Sequence, residues 1–329
     1  MRLEITRTEG LRNDLLLRLE RSELSGAQLS VVNRDRLMAL PGMPRHRDAT
    51  DDEARGMADA KLPIEAHLER LGVVDGEGRA QRRVVAISNR NLGTNHGHVA
   101  WQRGEQPRLF RIHEDPILSR VASFLTVRSG GGMAIEELEI DPAQDRLLDR
   151  DGRDASDRIE WATAGQRVLR AGRVTPIEEI AADFYDVRHV LAFDPRREAG
   201  ERIRQEIYAG YPATFAANVQ RAWRERGVPR ARYAHNAVGV NANEVIVVQR
   251  EGTIEEIGQA LVDAGAADGV ILDNGGSVVC WVWWANAYRG GIISPTVDYR
   301  PPGTSAIVFE LKGPVNVEMP GGSVSYSTW

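Results

Sequence analysis

The chain has one cysteine, Cys280, in 329 residues. That excludes an intrachain disulfide and fits a reducing compartment. Cys280 stands in Val278-Val279-Cys280-Trp281-Val282, surroundings that predict a buried, inert thiol. Lysine is nearly as scarce, occurring only at Lys61 and Lys312, and every other basic residue is arginine, the bias of a GC-rich genome. There is no surplus of positive charge: the formal net charge is −5, which removes the electrostatic ground for binding nucleic acid. Apolar runs long enough to span a bilayer are missing, and Met1-Arg2-Leu3-Glu4-Ile5 lacks the basic-then-apolar start of a secretory signal. The expectation is a cytoplasmic enzyme with a small-molecule substrate and neither nucleic acid nor membrane as partner.

What is present is ordinary for a folded globular chain, with 42% hydrophobic and 27% charged residues. No long Pro/Gly/Ser linker divides it. The expected layout is residues 1–61 as N-terminal strands and a loop, 62–312 as the main domain, and 313–329 as a Gly/Ser-rich tail.

Strands are expected around Leu15 to Leu17 and Leu29 to Val32, followed by a polar loop from Pro44 to Glu53. Ile64, Leu68 and Leu71 share one helical face, with Gly72 at the helix end, and Val84-Val85-Ala86-Ile87 reads as a buried strand. Gly130-Gly131-Gly132 is a turn, and the charge-rich stretch from Asp141 to Asp157 a solvated excursion. Val168 to Val174 reads as a hairpin around Gly172. The segment from Arg196 to Tyr208 reads as a solvent-facing helix, a cover or a homo-oligomer contact. Phe215, Val219, Ala222 and Trp223 form a core-facing helical stripe, and Ser305 to Leu311 a closing strand.

The most informative stretch is Asp273-Asn274-Gly275-Gly276-Ser277. Thr253 with Glu256 fits a capping box, Ile254, Ile257 and Leu261 recur at helical spacing, and Gly265 suits a left-handed C′ position. Strand (Val245 to Val248), helix (Ile254 to Ala264), buried strand (Val270 to Leu272) and glycine turn therefore follow in order. Ligands of open α/β sheets gather outside the carboxyl ends of strands, where this order puts Asp273.

With that order established, the chain resembles the phosphodiester glycosidase family. Asn236-Ala237-Val238-Gly239-Val240 corresponds to a Thr-Ala-Ile-Gly-like strand, and Asp273 to Ser277 to an Asp-Gly-Gly-Gly-Ser turn. Arg300-Pro301 with Ser305-Ala306-Ile307 corresponds to an Arg-Pro-x-x-Asn-Ala segment, Ala86 to Leu92 to Ala-Ile-Asn-Gly-Gly-Phe-Phe, and Val168 to Val174 to the family's hairpin. The resemblance runs from about Leu62 to Leu311. It implies an α/β (α+β) fold, a mixed β-sheet core flanked by helices, and hydrolysis of a sugar C1-phosphodiester without metal or other cofactor.

Cleaving that C1–O bond builds positive charge on the sugar and negative charge on a phosphate that already leaves well, so one carboxylate and an anion cradle suffice. Asp273 is the candidate carboxylate, as a base toward water or as an anion steadying the sugar cation. Backbone N–H groups of Gly275, Gly276 and Ser277 can form the cradle, with Asn274 in the same turn and the Ser277 hydroxyl as a further donor. His235 and Arg300 are candidates to pair with phosphate, and Asn89 to bind a sugar hydroxyl. Asp298 lies close to Arg300 in the chain and can pair with it. Trp281 and Trp283, one face of an aromatic concentration that also holds Trp284, Tyr288 and Tyr299, are candidates for the substrate wall as well as for ordinary core. His96-Gly97-His98 has spacing that two imidazoles can use on one ion, but no third ligand is evident. Two other functions stay open on the same fold: a biosynthetic tailoring enzyme (lyase, isomerase or cyclase), and a non-catalytic small-molecule-binding protein.

Overall fold

Leu15, Leu17 and Leu19 are buried on one side of a strand, while Asp14, Leu16 and Arg18, which alternate with them, are only half-buried on the other. This period of two, repeated strand after strand, divides the molecule into layers. The computed structural model describes residues 2–8, 12–31, 64–77, 79–89, 99–104, 108–111, 121–141, 143–182, 205–207, 209–210, 213–225, 227, 230–284, 289–293, 305–313, 316–319 and 322–325.

The N-terminal strands are β1 (Arg2–Thr8), β2 (Arg12–Glu20) and β3 (Leu24–Val31), followed by helix α1 (Ile64–Arg70). Then come β4 (Val84–Ser88), β5 (Val99–Gln102), β6 (Arg108–Arg111), β7 (Val121–Arg128), β8 (Met133–Asp141), β9 (Arg146–Leu148), β10 (Ile159–Arg170) and β11 (Arg173–Val174). Helices α2 (Ile177–Ala182) and α3 (Phe215–Glu225) lead to β12 (Tyr233–Val240), β13 (Glu244–Gly252), helix α4 (Ile254–Asp263) and β14 (Asp268–Asn274). The chain closes with β15 (Cys280–Trp284), β16 (Arg289–Ile293), β17 (Ser305–Leu311), β18 (Asn316–Met319) and β19 (Gly322–Ser325).

Among the described residues these strands form two sheets. The larger runs β19-β18-β1-β2-β13-β12-β14-β10-β7-β8-β9, with β11, β5 and β6 attached through β10, and the smaller runs β16-β15-β4-β17-β3. The sheets pack face to face. Leu17, Val238, Val247, Val270 and Leu272 of the larger meet Leu29, Val85, Ile87, Val282, Ile307 and Phe309 of the smaller in one apolar layer. On the far side of the larger sheet, Ala237, Ile246 and Ile271 pack with Ile257 and Leu261 of α4 and Trp223 of α3. On the far side of the smaller sheet, Ala86, Trp281, Ala306 and Val308 receive Ile64 and Leu68 of α1. The result is helix, sheet, sheet, helix. Each fully buried aliphatic or aromatic side chain contributes about 1.5–3 kcal/mol relative to exposure, so the interlayer is the main source of cohesion.

The protein is therefore more β-rich than the α/β expectation, and its sheets are scarcely mixed. β1 with β18 is the one parallel pair among the described strands, the remaining pairs being antiparallel. The strand–helix–strand order around α4 is real, but β12 lies between β13 and β14 and runs against both. The tail adds two strands, β18 and β19, to the larger sheet. The charged 141–157 stretch is not wholly an excursion: β9 pairs with β8, Leu147 is buried, and Asp149 Oδ1 accepts the N–H groups of Asp151 and Arg153 to close a turn. No helix among the described residues is long and apolar enough to cross a membrane. The loop expected from Pro44 to Glu53, most of the helix expected from Arg196 to Tyr208, and His96 to His98 lie outside the described residues.

Two expected features take the form their chemistry requires. Thr253 Oγ accepts the Glu256 N–H at 3.2 Å while the Glu256 carboxylate accepts the Thr253 N–H at 2.8 Å, completing the capping box of α4. Cys280 is fully buried in the interlayer, and burial alone pushes its thiol far above the ordinary range. Thr253→Ala should lower stability by about 1 kcal/mol and the melting temperature by a few degrees in a thermal scan. The native protein should leave its thiol unreacted with a disulfide reagent at mildly alkaline pH and release one equivalent only on unfolding; prompt native reaction would contradict the burial.

Candidate active site

The apolar interlayer turns polar at one end. On β12, Val240 and Val238 face the smaller sheet, and the next residue of that face is Asn236; on β13, Val245 and Val247 are followed by Gln249. Both amides are buried, and they reach across to the smaller sheet. Asn236 Nδ2 donates to the Ser88 carbonyl, and Gln249 Nε2 donates to Asn236 Oδ1 at 3.1 Å and to the Val279 carbonyl at 3.0 Å. Val279 and Ser88 are themselves joined, Val279 N–H to Ser88 Oγ at 3.2 Å and Ser88 N–H to the Val279 carbonyl at 3.0 Å.

Asp273 belongs to this face because of one extra residue. β14 pairs Val270 with Val238 and Ile271 with Ala237, and then Asp273 with Asn236, so that Leu272 is a β-bulge without an opposite number. Strict alternation from Ile271, which packs on the helix side, would send Asp273 to the helices as well. The bulge returns it to the interlayer opposite Asn236. The neighbouring strand accommodates this at Gly165 of β10, where a Cβ would lie 2.7 Å from the Ile271 carbonyl oxygen and 3.1 Å from Leu272 Cδ2.

The carboxylate is 4% exposed and is the only one among the buried described residues. Its Oδ1 accepts the Asn274 N–H at 2.9 Å and the Ser277 hydroxyl at 3.0 Å, with the Asn274 carbonyl 3.3 Å from that hydroxyl. The turn Gly275–Ser277 is a single 3-10 turn that starts from a left-handed Gly275, φ 79°, a conformation glycine adopts without strain. Ser277 is thus engaged in orienting Asp273, a different task from donating to a substrate phosphate. Such hydrogen bonds are what makes a buried carboxylate tolerable.

A second amide bridge crosses the interlayer from Asn89, just after β4. Its Nδ2 donates to Thr163 Oγ1 of β10 at 2.8 Å and to Ser305 Oγ of β17 at 3.0 Å. Since β14 lies between β12 and β10, Asp273 stands in the strand flanked by the two bridges, Asn236 to Ser88 on one side and Asn89 to Thr163 on the other.

The other expected residues are placed elsewhere. His235 precedes Asn236 in β12 and so projects to the helix side, where Nε2 meets the Gly252 carbonyl at 3.2 Å and the ring stands edge-on to Tyr233. Asn274 pairs with His235 in the same register. Trp281 packs among the α1-side residues, and Trp283 packs against them with the Arg83 guanidinium 5.8 Å from its ring centre. Neither faces the interlayer, to which Cys280 and Val282 point instead. Arg300, Asp298, Tyr288 and Tyr299 lie outside the described residues. Gln249 and Thr163 are additions from outside the sequence motifs, whereas Asn236, Ser88 and Ser305 stand within motif segments without having been assigned a site role; the signal was a polar residue at the inward position of an otherwise apolar strand, as in Val245-x-Val247-x-Gln249.

No family model matches the sequence, and no curated protein matches it. Among solved structures the chain is similar to the catalytic domain of zebrafish N-acetylglucosamine-1-phosphodiester alpha-N-acetylglucosaminidase auto-inhibited by its pro-peptide. The identity is 12%, over 94% of this chain and 81% of that one, with a TM-score of 0.46. It is also similar to a hypothetical protein from Synechocystis, at 13% identity over 94% of this chain and 61% of that one, with a TM-score of 0.37. The site stands on its own side chains.

Gly165→Ala should destabilise the β10–β14 seam by about 1–3 kcal/mol, as overpacking does. Urea unfolding measures this; a neutral substitution would mean that the seam has room for a methyl group at Gly165.

Proposed function

We propose that the protein is a hydrolase of a glycosylated or phosphate-bearing small molecule, with Asp273 as its working carboxylate and a sugar C1-phosphodiester as the substrate class. One observation carries the assignment of Asp273: it is the sole carboxylate among the buried described residues, and a bulge and two hydrogen bonds to one oxygen set its direction. A buried acid is costly, and a strand end that departs from regular pairing to aim one is the arrangement expected of a site. The substrate class comes from the sequence motifs.

In the proposed step a water attacks C1 of the sugar while Asp273 takes one of its protons. The C1–O bond breaks with its electron pair left on the phosphate oxygen, giving free sugar and a phosphomonoester, and the carboxyl proton then passes to solvent. Ser277 and the Asn274 N–H hold the carboxylate plane. The Gly275 and Gly276 N–H groups and Arg300 are proposed to receive the phosphate, and Asn89 to meet a sugar hydroxyl.

Incubation with nucleotide-linked sugar 1-phosphodiesters in ¹⁸O-water should release free sugar carrying the label. Asp273→Asn should reduce that release by at least about 100-fold with an unchanged circular dichroism spectrum. An undiminished rate would remove Asp273 from the mechanism, and an Asp273-dependent product without label would point to a lyase or isomerase.

A further inference from the structure

Gln249 and Asn236 are polar residues placed where their strands otherwise carry valines, and neither is exposed. Burying two amides in an apolar layer is unfavourable unless their hydrogen bonds are made, so their particular partners matter. Those partners lie on both sides of Asp273 along the chain path of the site. Asn236 sits directly across from Asp273 in the sheet and holds the Ser88 carbonyl, next to Asn89. Gln249 holds Asn236 through Oδ1 and the carbonyl of Val279, two residues beyond the Ser277 whose hydroxyl orients Asp273.

We propose that Gln249 and Asn236 are positioning residues for Asp273: one amide latch that fixes the glycine turn and the end of β4 against the bulged strand, and so fixes the Ser277 hydroxyl on the carboxylate. This rests on the assignment of Asp273 as the working carboxylate. Its geometry explains why the latch is built from amides. Each carboxamide nitrogen has two hydrogens, so Gln249 reaches a side chain in its own sheet and a backbone carbonyl in the facing one at once. A valine in its place would leave the segment after the turn tied to Ser88 alone, with no bond from the larger sheet. Positional errors near an ångström at a reacting group cost orders of magnitude in rate, so a latch acting wholly through Asp273 has a kinetic signature.

The test uses the full chain labelled with ¹³C-carboxyl aspartate, the Asp273 resonance being assigned by its loss in Asp273→Asn. Gln249→Met keeps the volume and removes the two hydrogen bonds of the Gln249 amide; Ser88→Ala, a milder change, keeps the carbonyl bonds of the latch and loosens the segment it holds by removing the acceptor of the Val279 N–H. Thr253→Ala, which destabilises remotely, is the control. At fixed neutral pH both latch variants should move the Asp273 resonance in the same direction, Gln249→Met further, and Thr253→Ala should leave it in place. On any substrate that wild type turns over, Gln249→Met should lower kcat roughly tenfold or more with KM within about twofold. An unmoved resonance in both latch variants, or an equal shift in Thr253→Ala, overturns the positioning role. Wild type that cleaves no sugar phosphodiester while the resonance shifts as stated would sink the proposed activity and leave the positioning intact.

Discussion

A carboxylate between two apolar sheets is the constraint on which the rest of this structure turns. Moving an ionised acid out of water costs several kcal/mol even after relaxation, and only hydrogen bonds and neighbouring dipoles recover it. At Asp273 they come from the next N–H along the chain and from the Ser277 hydroxyl one turn later, which is why a glycine turn must follow immediately. The turn in turn needs anchoring, and the anchors are the Asn236–Gln249 amides reaching Ser88 and Val279. The polar end of the interlayer holds three adjoining hydrogen-bonded groups, Asp273 with Ser277, Asn236 with Gln249, and Asn89 with Thr163 and Ser305, and removing a member leaves its buried partner short of a bond.

The bulge at Leu272 is the step that converts a fold into a candidate site. One inserted residue changes the face on which every later side chain of the strand stands. Here it separates two neighbours in function: Asp273 joins the interlayer, whereas His235, adjacent to Asn236, is left on the helix side with the Gly252 carbonyl. The same alternation settles the tryptophans. Trp281 and Trp283 do share a face, as their spacing requires, and it is the face covered by α1.

Local signals in the sequence were legible. The capping box at Thr253 and Glu256, the left-handed Gly265, the hairpin turn at Ala171-Gly172 and the helix ending at Gly72 all depend on residues within a few positions of one another. So did the arrival of Asp273 at a strand end. What was not legible depends on partners far apart in the chain: Asn89 with Thr163 and Ser305, Asn236 with Ser88, and the layer that Trp281 faces. The predominance of antiparallel pairing was hidden for a related reason, since the strand–helix–strand order around α4 reads as a parallel unit until β12 is seen between its strands. Asn236 and Gln249 were discoverable in principle, as polar residues at inward positions, but only once the inward face was known.

The most direct measurement is a crystal structure with a non-hydrolysable sugar 1-phosphonate bound. The sugar's C1 should lie about 3–3.5 Å from the oxygen of a water hydrogen-bonded to Asp273, on the interlayer side of β14 between the two amide bridges. A ligand seated instead on the helix side, against His235, or remote from β14, would contradict it.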